Sequence, residues 1–302
     1  SRLAGGLGVC APMPKTMGPV QRVSLVLTAM CIHALPALAF GPSIPSLSAR
    51  GFQRGSSSLS ARTRMMAASA GDDTIRAFLV RHGAVDLTQP GMTFPKDCMY
   101  GGHNVPLSDL GKLEARAAAE FLKDEDIDLI FCSPLDRALY GAERVAEKRG
   151  LTPIQDDGFR EVNRGRWLGL TREQIQEKFP GDFESFGEDP SWCEHGGETY
   201  TQLFNRVLEA RDRALNTARE KGAKTICIVS HMWVTKSMIT DVTGIQPTQQ
   251  DKWSELLVPT ASISQINYPR QVGGGKPEIV YVGTKPEVPQ DEAAKAASGW
   301  GG

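Results

Sequence analysis

Ile75-Arg76-Ala77-Phe78-Leu79-Val80-Arg81-His82-Gly83 is a short apolar run that stops abruptly at an arginine, a histidine and a glycine. Such a run, bounded by a turn residue, predicts a buried strand feeding a loop. Two later stretches have the same form. Leu129-Ile130-Phe131-Cys132 leads into Ser133 and Arg137, and residues 225–229 lead into His231. Between and after them the period changes to that of a helix. Ser108 caps a pattern in which Leu110, Leu113, Ala117, Phe121 and Leu122 recur. Helices are also predicted over 135–148, 172–179, 198–220 and 234–243, several of them stopped by Gly150, Pro180 or Gly222. Strands are predicted near 262–268 and 278–282. This alternation predicts an α/β fold: a three-layer sandwich whose mostly parallel central sheet has helices on both faces. In such sheets the ligand site gathers at the carboxyl ends of the strands. Arg81 with His82, Ser133 with Arg137, and His231 therefore converge on one pocket.

The chemistry of that pocket follows from its residue types. A phosphoryl group presents three oxygens and about two negative charges, and arginine supplies a planar fork that stays charged at any working pH. Arg81 and Arg137 offer two such forks. A neutral imidazole can attack phosphorus and form a covalent intermediate, a role that suits His82. His231 suits the partner that stabilises charge on the equatorial oxygens. The departing alkoxide needs a proton, for which Glu161 is the candidate acid. Singly, Arg137 reads equally well as half of an ion pair, His231 as a capping residue and Glu161 as a solvated loop acid. Their joint occurrence at strand ends, in order, favours a phosphate pocket.

The order Arg81-His82-Gly83, Pro106-Leu107-Ser108-x-x-Gly111, Cys132-Ser133-Pro134-x-x-Arg137-Ala138, Glu161, Gly197-Glu198 and Ser230-His231 resembles the histidine phosphatase superfamily, also called phosphoglycerate mutase-like, over about two hundred residues. The resemblance implies a phosphohistidine on His82 and a phosphate pocket of Arg81, Arg137 and His231. It also implies Glu161 as proton donor and neither metal nor cofactor. Glu198 falls where members carry a Gly-Glu segment opening a long helix, and is expected near the substrate. The stretch Gly165-Arg166-Trp167-Leu168-Gly169-Leu170-Thr171 is similar to the phosphatase branch, and the basic segment by which mutases hold a second phosphate is missing. The expected activity is thus a phosphomonoesterase acting on a small phosphorylated metabolite. A mutase-type isomerase and a non-catalytic binding or regulatory protein of the same fold stand as alternatives. The chain departs from the family where Ala84, Val85 and Thr88 replace its usual polar residues, so Asn104 or Thr93 is the expected substitute donor. Arg164 and Arg166 are open candidates for a second phosphate.

Composition constrains partners. The 302 residues carry 34 Lys and Arg against 35 Asp and Glu, yet no acid precedes Asp72 while seven basic residues do. The remaining 27 basic against 35 acidic residues leave a net charge of about -8, poorly suited to a nucleic-acid backbone. Of the six cysteines, Cys98, Cys132, Cys193 and Cys227 are expected to be reduced thiols. A homodimer is left open.

The first 74 residues read as a targeting region without fixed structure. Met17 is the expected translation start, and an apolar stretch to Ala39 reads as a signal peptide over about 17–39, too interrupted for a stable membrane span. Residues 40–70, rich in Ser, Ala and Arg, read as a transit peptide. The junction Ala37-Leu38-Ala39-Phe40-Gly41-Pro42 resembles the Phe-containing cleavage motif of proteins sent to complex algal plastids. A plastid is the expected destination, with the secretory pathway as the alternative. The catalytic domain is expected over 75–283, followed by a disordered tail over 284–302.

Overall fold

The computed structural model describes residues 73–298 except 90, 91, 93 and 190. The targeting region up to residue 72, and Thr93, lie outside the described residues. Six strands form one sheet: β1 (Thr74–Arg81), β2 (Leu129–Cys132), β3 (Ile154–Gln155), β4 (Thr225–Ser230), β5 (Ile263–Pro269) and β6 (Glu278–Thr284), in the order β3-β2-β4-β1-β5-β6. Pairing is parallel from β3 to β1 and antiparallel for β5 and β6. The sheet is thus mostly parallel, as the sequence predicts.

Strand periodicity explains the layers. In β1, Ile75, Ala77 and Leu79 face one side and Phe78 and Val80 the other, while in β4 Ile226 and Ile228 oppose Cys227 and Val229. The first face is covered by α5 (Tyr200–Glu220), through Leu203, Val207 and Ala210, and by α6 (Met232–Thr243), through Val234 and Met238. The second is covered by α1 (Asp109–Phe121) and α2 (Asp136–Ala146), through Ala118, Ala138, Ala142 and Val145. Strands buried on both faces read as continuous apolar runs, which is why β1 and β4 were legible.

Three shorter helices, α3 (Arg172–Lys178), α4 (Asp182–Glu188) and α7 (Gln250–Glu255), complete the loops. The first two close a separate apolar cluster around Trp167, Ile175 and Phe186. The tail corrects the sequence reading. Residues expected to be disordered form α8 (Gln290–Ser298), which lies against α1. Its four alanines and the acids Asp291 and Glu292 in its first turn are strong helix formers, and little apolar area is needed once a neighbouring helix is available. Cys98, Cys132 and Cys227 are free and buried, whereas Cys193 is disulfide-bonded, against expectation. Among the described residues no helix is long and apolar enough to cross a membrane.

Candidate active site

Register brings the site together. Arg81, the last residue of β1, pairs with Ser230 of β4, and Cys132 of β2 pairs with Val229. The next residues, His82, His231 and Ser133, therefore leave three adjacent strands at one edge. His82 N–H donates to the Ser230 carbonyl and Ser133 N–H to the Val229 carbonyl, so the parallel ladder runs into the loops before they diverge. The rings of His82 and His231 meet edge to face, with centroids 5.1 Å apart.

The loop after His82 is held first by close backbone contact. A Cβ on Gly83 would lie 2.1 Å from the Gly111 carbonyl oxygen, and one on Gly111 would lie 1.9 Å from that of Ala84. Two glycines are therefore required where α1 crosses the loop. Ser108 caps α1 by accepting from Gly111 N–H (3.0 Å), while its own N–H and hydroxyl donate to the Ala84 carbonyl. The Pro-Leu-Ser-x-x-Gly motif is thus the clamp of the catalytic loop. Ala84, which replaces a polar family residue, contributes through its backbone N–H, given to the buried Glu114 carboxylate at 2.7 Å.

His82 is 3 % exposed and its Nδ1 lies 2.7 Å from the Gly83 carbonyl oxygen. A carbonyl only accepts, so Nδ1 carries the proton and Nε2 presents its lone pair. Burial, then the Arg137 and Arg81 guanidinium groups, hold its pKa well below that of a free imidazole, which keeps the ring neutral and nucleophilic. Arg137, fully buried on α2, donates from Nε to this Nε2 (3.3 Å), from Nη1 to the His103 carbonyl (2.6 Å) and from Nη2 to the Gly101 carbonyl (2.8 Å). His231 is fully buried. Its pKa is likewise driven down by burial first, then by Arg137, and Ser133 Oγ lies 2.8 Å from its Nε2. Arg81 Nη1 donates to the Val258 carbonyl at 2.7 Å. At this edge Arg81 Nε and His231 Nδ1 are buried with no hydrogen-bond partner among the described residues.

Glu161, 8 % exposed, accepts from Val162 N–H (2.9 Å) and, through Oε2, from Trp233 N–H in the first turn of α6 (3.4 Å). Glu161 thus meets the start of α6 at Trp233, two residues along the chain from His231.

Two sequence-predicted site residues take other parts. Asn104 is exposed and spends its amide on Asp136, donating to Oδ2 (2.7 Å) and accepting from its N–H (2.9 Å), which fastens the loop to the start of α2. Glu198 forms a two-point pair with Arg206 on α5 (2.8 and 2.7 Å) and accepts from Asn163 N–H. Arg206 also donates to the Gly158 and Arg160 carbonyls, so the pair positions the turn that carries Glu161. Thr88, turned onto Asp86, replaces no phosphate donor either. The Gly-x-Trp-x-Gly-x-Thr segment is scaffold: Trp167 Nε1 and the Arg166 guanidinium both donate to Asp182, and Thr171 caps α3. The sequence missed the carbonyls of Gly101, His103 and Val258, because a backbone acceptor has no residue-type signal, and it missed Arg206.

Comparison with known proteins agrees with this geometry. Residues 77–279 match the model of the histidine phosphatase superfamily (branch 1). The chain is 32% identical over 177 residues to phosphoserine phosphatase 1 of Hydrogenobacter thermophilus, covering 57% of this chain and 77% of that one. It is 37% identical over 131 residues to glucosyl-3-phosphoglycerate phosphatase of Mycobacterium tuberculosis, covering 43% of this chain and only 56% of the relative. Among solved structures, a protein described as mycobacterial hydrolase 2 superposes with a TM-score of 0.65 at 25% identity over 75% of this chain and 97% of its own. A native mycobacterial glucosyl-3-phosphoglycerate phosphatase does so with 0.58 at 25% identity, over 70% and 99%. With its motifs gathered at the carboxyl edge of the sheet, the chain belongs to the histidine phosphatase superfamily, branch 1.

Proposed function

We propose that the protein is a phosphomonoesterase that hydrolyses a small phosphorylated metabolite through a phosphohistidine on His82. The observation that carries this is the fixed tautomer of His82: Nδ1–H on the Gly83 carbonyl and Nε2 unprotonated, with Arg137 Nε donating to it at 3.3 Å. A phosphoryl group in front of Nε2 would give Arg81 Nε and His231 Nδ1 the acceptor that the protein denies them. With Ser133 donating to His231 Nε2, the ring proton sits on Nδ1, ready for an equatorial oxygen. His82 Nε2 attacks phosphorus, the P–O bond to the alcohol breaks, and Glu161 delivers a proton to the leaving oxygen. A water then attacks the phosphohistidine, giving its proton to Glu161. The P–N bond breaks and inorganic phosphate leaves. The relatives are named for phosphoserine and glucosyl-3-phosphoglycerate, both small phosphorylated metabolites, which supports this substrate class. Against the mutase alternative, Arg166 is committed to Asp182 rather than open to a second phosphate.

The test is phosphate release from p-nitrophenyl phosphate by the full chain and its His82→Ala variant, with acid quenching of the parent to look for an acid-labile phosphoenzyme. Release that disappears in the variant is expected. Equal release by both would exclude His82 as the acceptor, and interconversion of phosphoglycerates without net release would move the protein to the mutases.

The destination is a separate proposal, carried by the sequence: residues 17–70 direct the chain to a complex plastid, with cleavage before Phe40. A fluorescent protein behind residues 17–74, expressed in an alga with a secondary plastid, is expected inside the organelle, and Phe40→Ala is expected to hold it outside. Secretion of the unaltered fusion would sink the idea.

A further inference from the structure

Glu161 attends the leaving oxygen, so the alcohol portion of any substrate lies on the Glu161 side of the pocket. Glu161 accepts from the N–H of Trp233, and the ring of Tyr200 lies 4.6 Å from that of Trp233. Three cations stand nearby and differ in how they are spent. Arg166 is held by Asp182 through three hydrogen bonds. Lys236 donates to the Trp253 carbonyl (2.7 Å) and lies over the Trp233 ring. Arg164, three residues after Glu161, is 8 % exposed, yet among the described residues no carboxylate pairs with it and no acceptor takes its guanidinium N–H groups. Its guanidinium carbon stands 5.8 Å from the ring centroids of both Tyr200 and Trp233.

A guanidinium that is nearly buried without a counter-charge is costly to keep. The two aromatic faces offset part of that cost and fix the side chain's position, but they leave its hydrogen-bonding edges unused. One fork with one net positive charge matches one monoanion. A second phosphate, with about two charges, would call on a second free cation, and Arg166 is not free.

We propose that Arg164, seated on Tyr200 and Trp233, is a carboxylate subsite: it grips a carboxylate on the alcohol portion of the phosphomonoester, so that phosphorylated hydroxy acids are selected over phosphorylated simple alcohols. This rests on the phosphatase reading above, which supplies the orientation of the substrate. The test compares 3-phosphoglycerate with glycerol 3-phosphate, which differ by a carboxylate in place of a hydroxymethyl group, on the full chain and on R164Q and R164K. The parent is expected to favour 3-phosphoglycerate in kcat/KM. That ratio is expected to fall about 30-fold or more in R164Q and to recover in part in R164K, as for a lost charge-assisted fork. A merely structural role would lower both substrates together and leave the ratio alone, and that result would overturn the subsite. Equilibrium binding of the same two ligands to the His82→Ala chain reads the ratio without turnover. A parent inactive on p-nitrophenyl phosphate would therefore remove only the phosphatase reading, whereas equal affinities for both ligands would remove the subsite. Tighter binding of 2,3-bisphosphoglycerate than of 3-phosphoglycerate, abolished in R164Q, would overturn the carboxylate in favour of a second phosphate.

Discussion

Glu114 lies buried in α1, where it accepts from Ala84 N–H, Thr260 Oγ1 (3.2 Å) and Lys285 Nζ (2.5 Å). Through it the loop of His82 is tied to the segment that follows the last strand. Among the described residues Lys285 is the one cation paired with it, so Lys285→Met would leave a buried carboxylate uncompensated. Lys285 remains partly exposed, which screens the pair, and a loss of about 1–2 kcal/mol is expected in urea unfolding. Because Glu114 holds Ala84, kcat on p-nitrophenyl phosphate is expected to fall with stability. Lys285→Arg, which keeps the charge, should restore most of both, and a Lys285→Met chain as stable as the parent would remove this role. At this scale the gathering of His82, Arg81, Arg137 and His231 at one edge of the sheet was legible, because side chains directly after apolar runs have one place to go. The contacts of Asn104 and Glu198 within the fold were not legible, because a residue type declares what it can bond and not what it meets. Asn104 meets the N–H of Asp136, and Glu198, just before α5, meets Arg206 eight residues on within that helix.

Elements were legible in proportion to how much apolar surface they bury. The strands β1, β2 and β4 and the helices α1, α2, α5 and α6 supply most of the residues of the two sheet-facing cores, so their period is written plainly. β3 has two exposed residues and no pattern to read. It is specified by pairing with β2, where Phe131 aligns with Ile154 and Cys132 with Gln155. α4 and α7 span only seven and six residues, less than the window in which helical period can be judged. α4 exists because Asp182 at its start receives Trp167 Nε1–H and Arg166, a demand made from fifteen and sixteen residues away. α8 was hidden for another reason, since its alanines state helix propensity without large apolar residues to mark a buried face. The long loop between β1 and α1 gave no sign of how it is tethered. Met99 N–H donates to the Leu170 carbonyl and its own carbonyl accepts from Gly169 N–H, and Phe94 packs on Gly169 where a Cβ would come within 2.6 Å. That glycine, with φ of +78°, is the sequence's only mark of the contact.

The whole molecule bears the cost of keeping the buried histidines His82 and His231 neutral. His82 and His231 both have folded pKa values well below 6.5, by burial first and by Arg137 next, whereas the unfolded chain restores them to about 6.5. Above that value neither state binds these protons and stability is flat with respect to them. As pH falls below about 6.5 the unfolded state takes up protons that the folded state refuses, so stability is lost. The slope approaches about 1.4 kcal/mol per pH unit for each histidine. Thermal unfolding of the free protein should therefore decline between about pH 6.5 and 5 more steeply than that of the His231→Gln variant, which lacks one of the two groups. A bound dianion reverses part of this. It neutralises Arg81 and Arg137 and gives His231 Nδ1 an acceptor, both of which raise the His231 pKa. Anion binding is then coupled to proton uptake. Sulfate, which does not itself titrate in this range, should at low millimolar concentration raise the melting temperature more at pH 6 than at pH 8, with ionic strength held equal by sodium chloride. A sulfate effect that is the same at both values would mean that His231 stays neutral beside the bound anion. Its part in stabilising the transferring phosphoryl group would then be that of a neutral N–H donor and not of a cation.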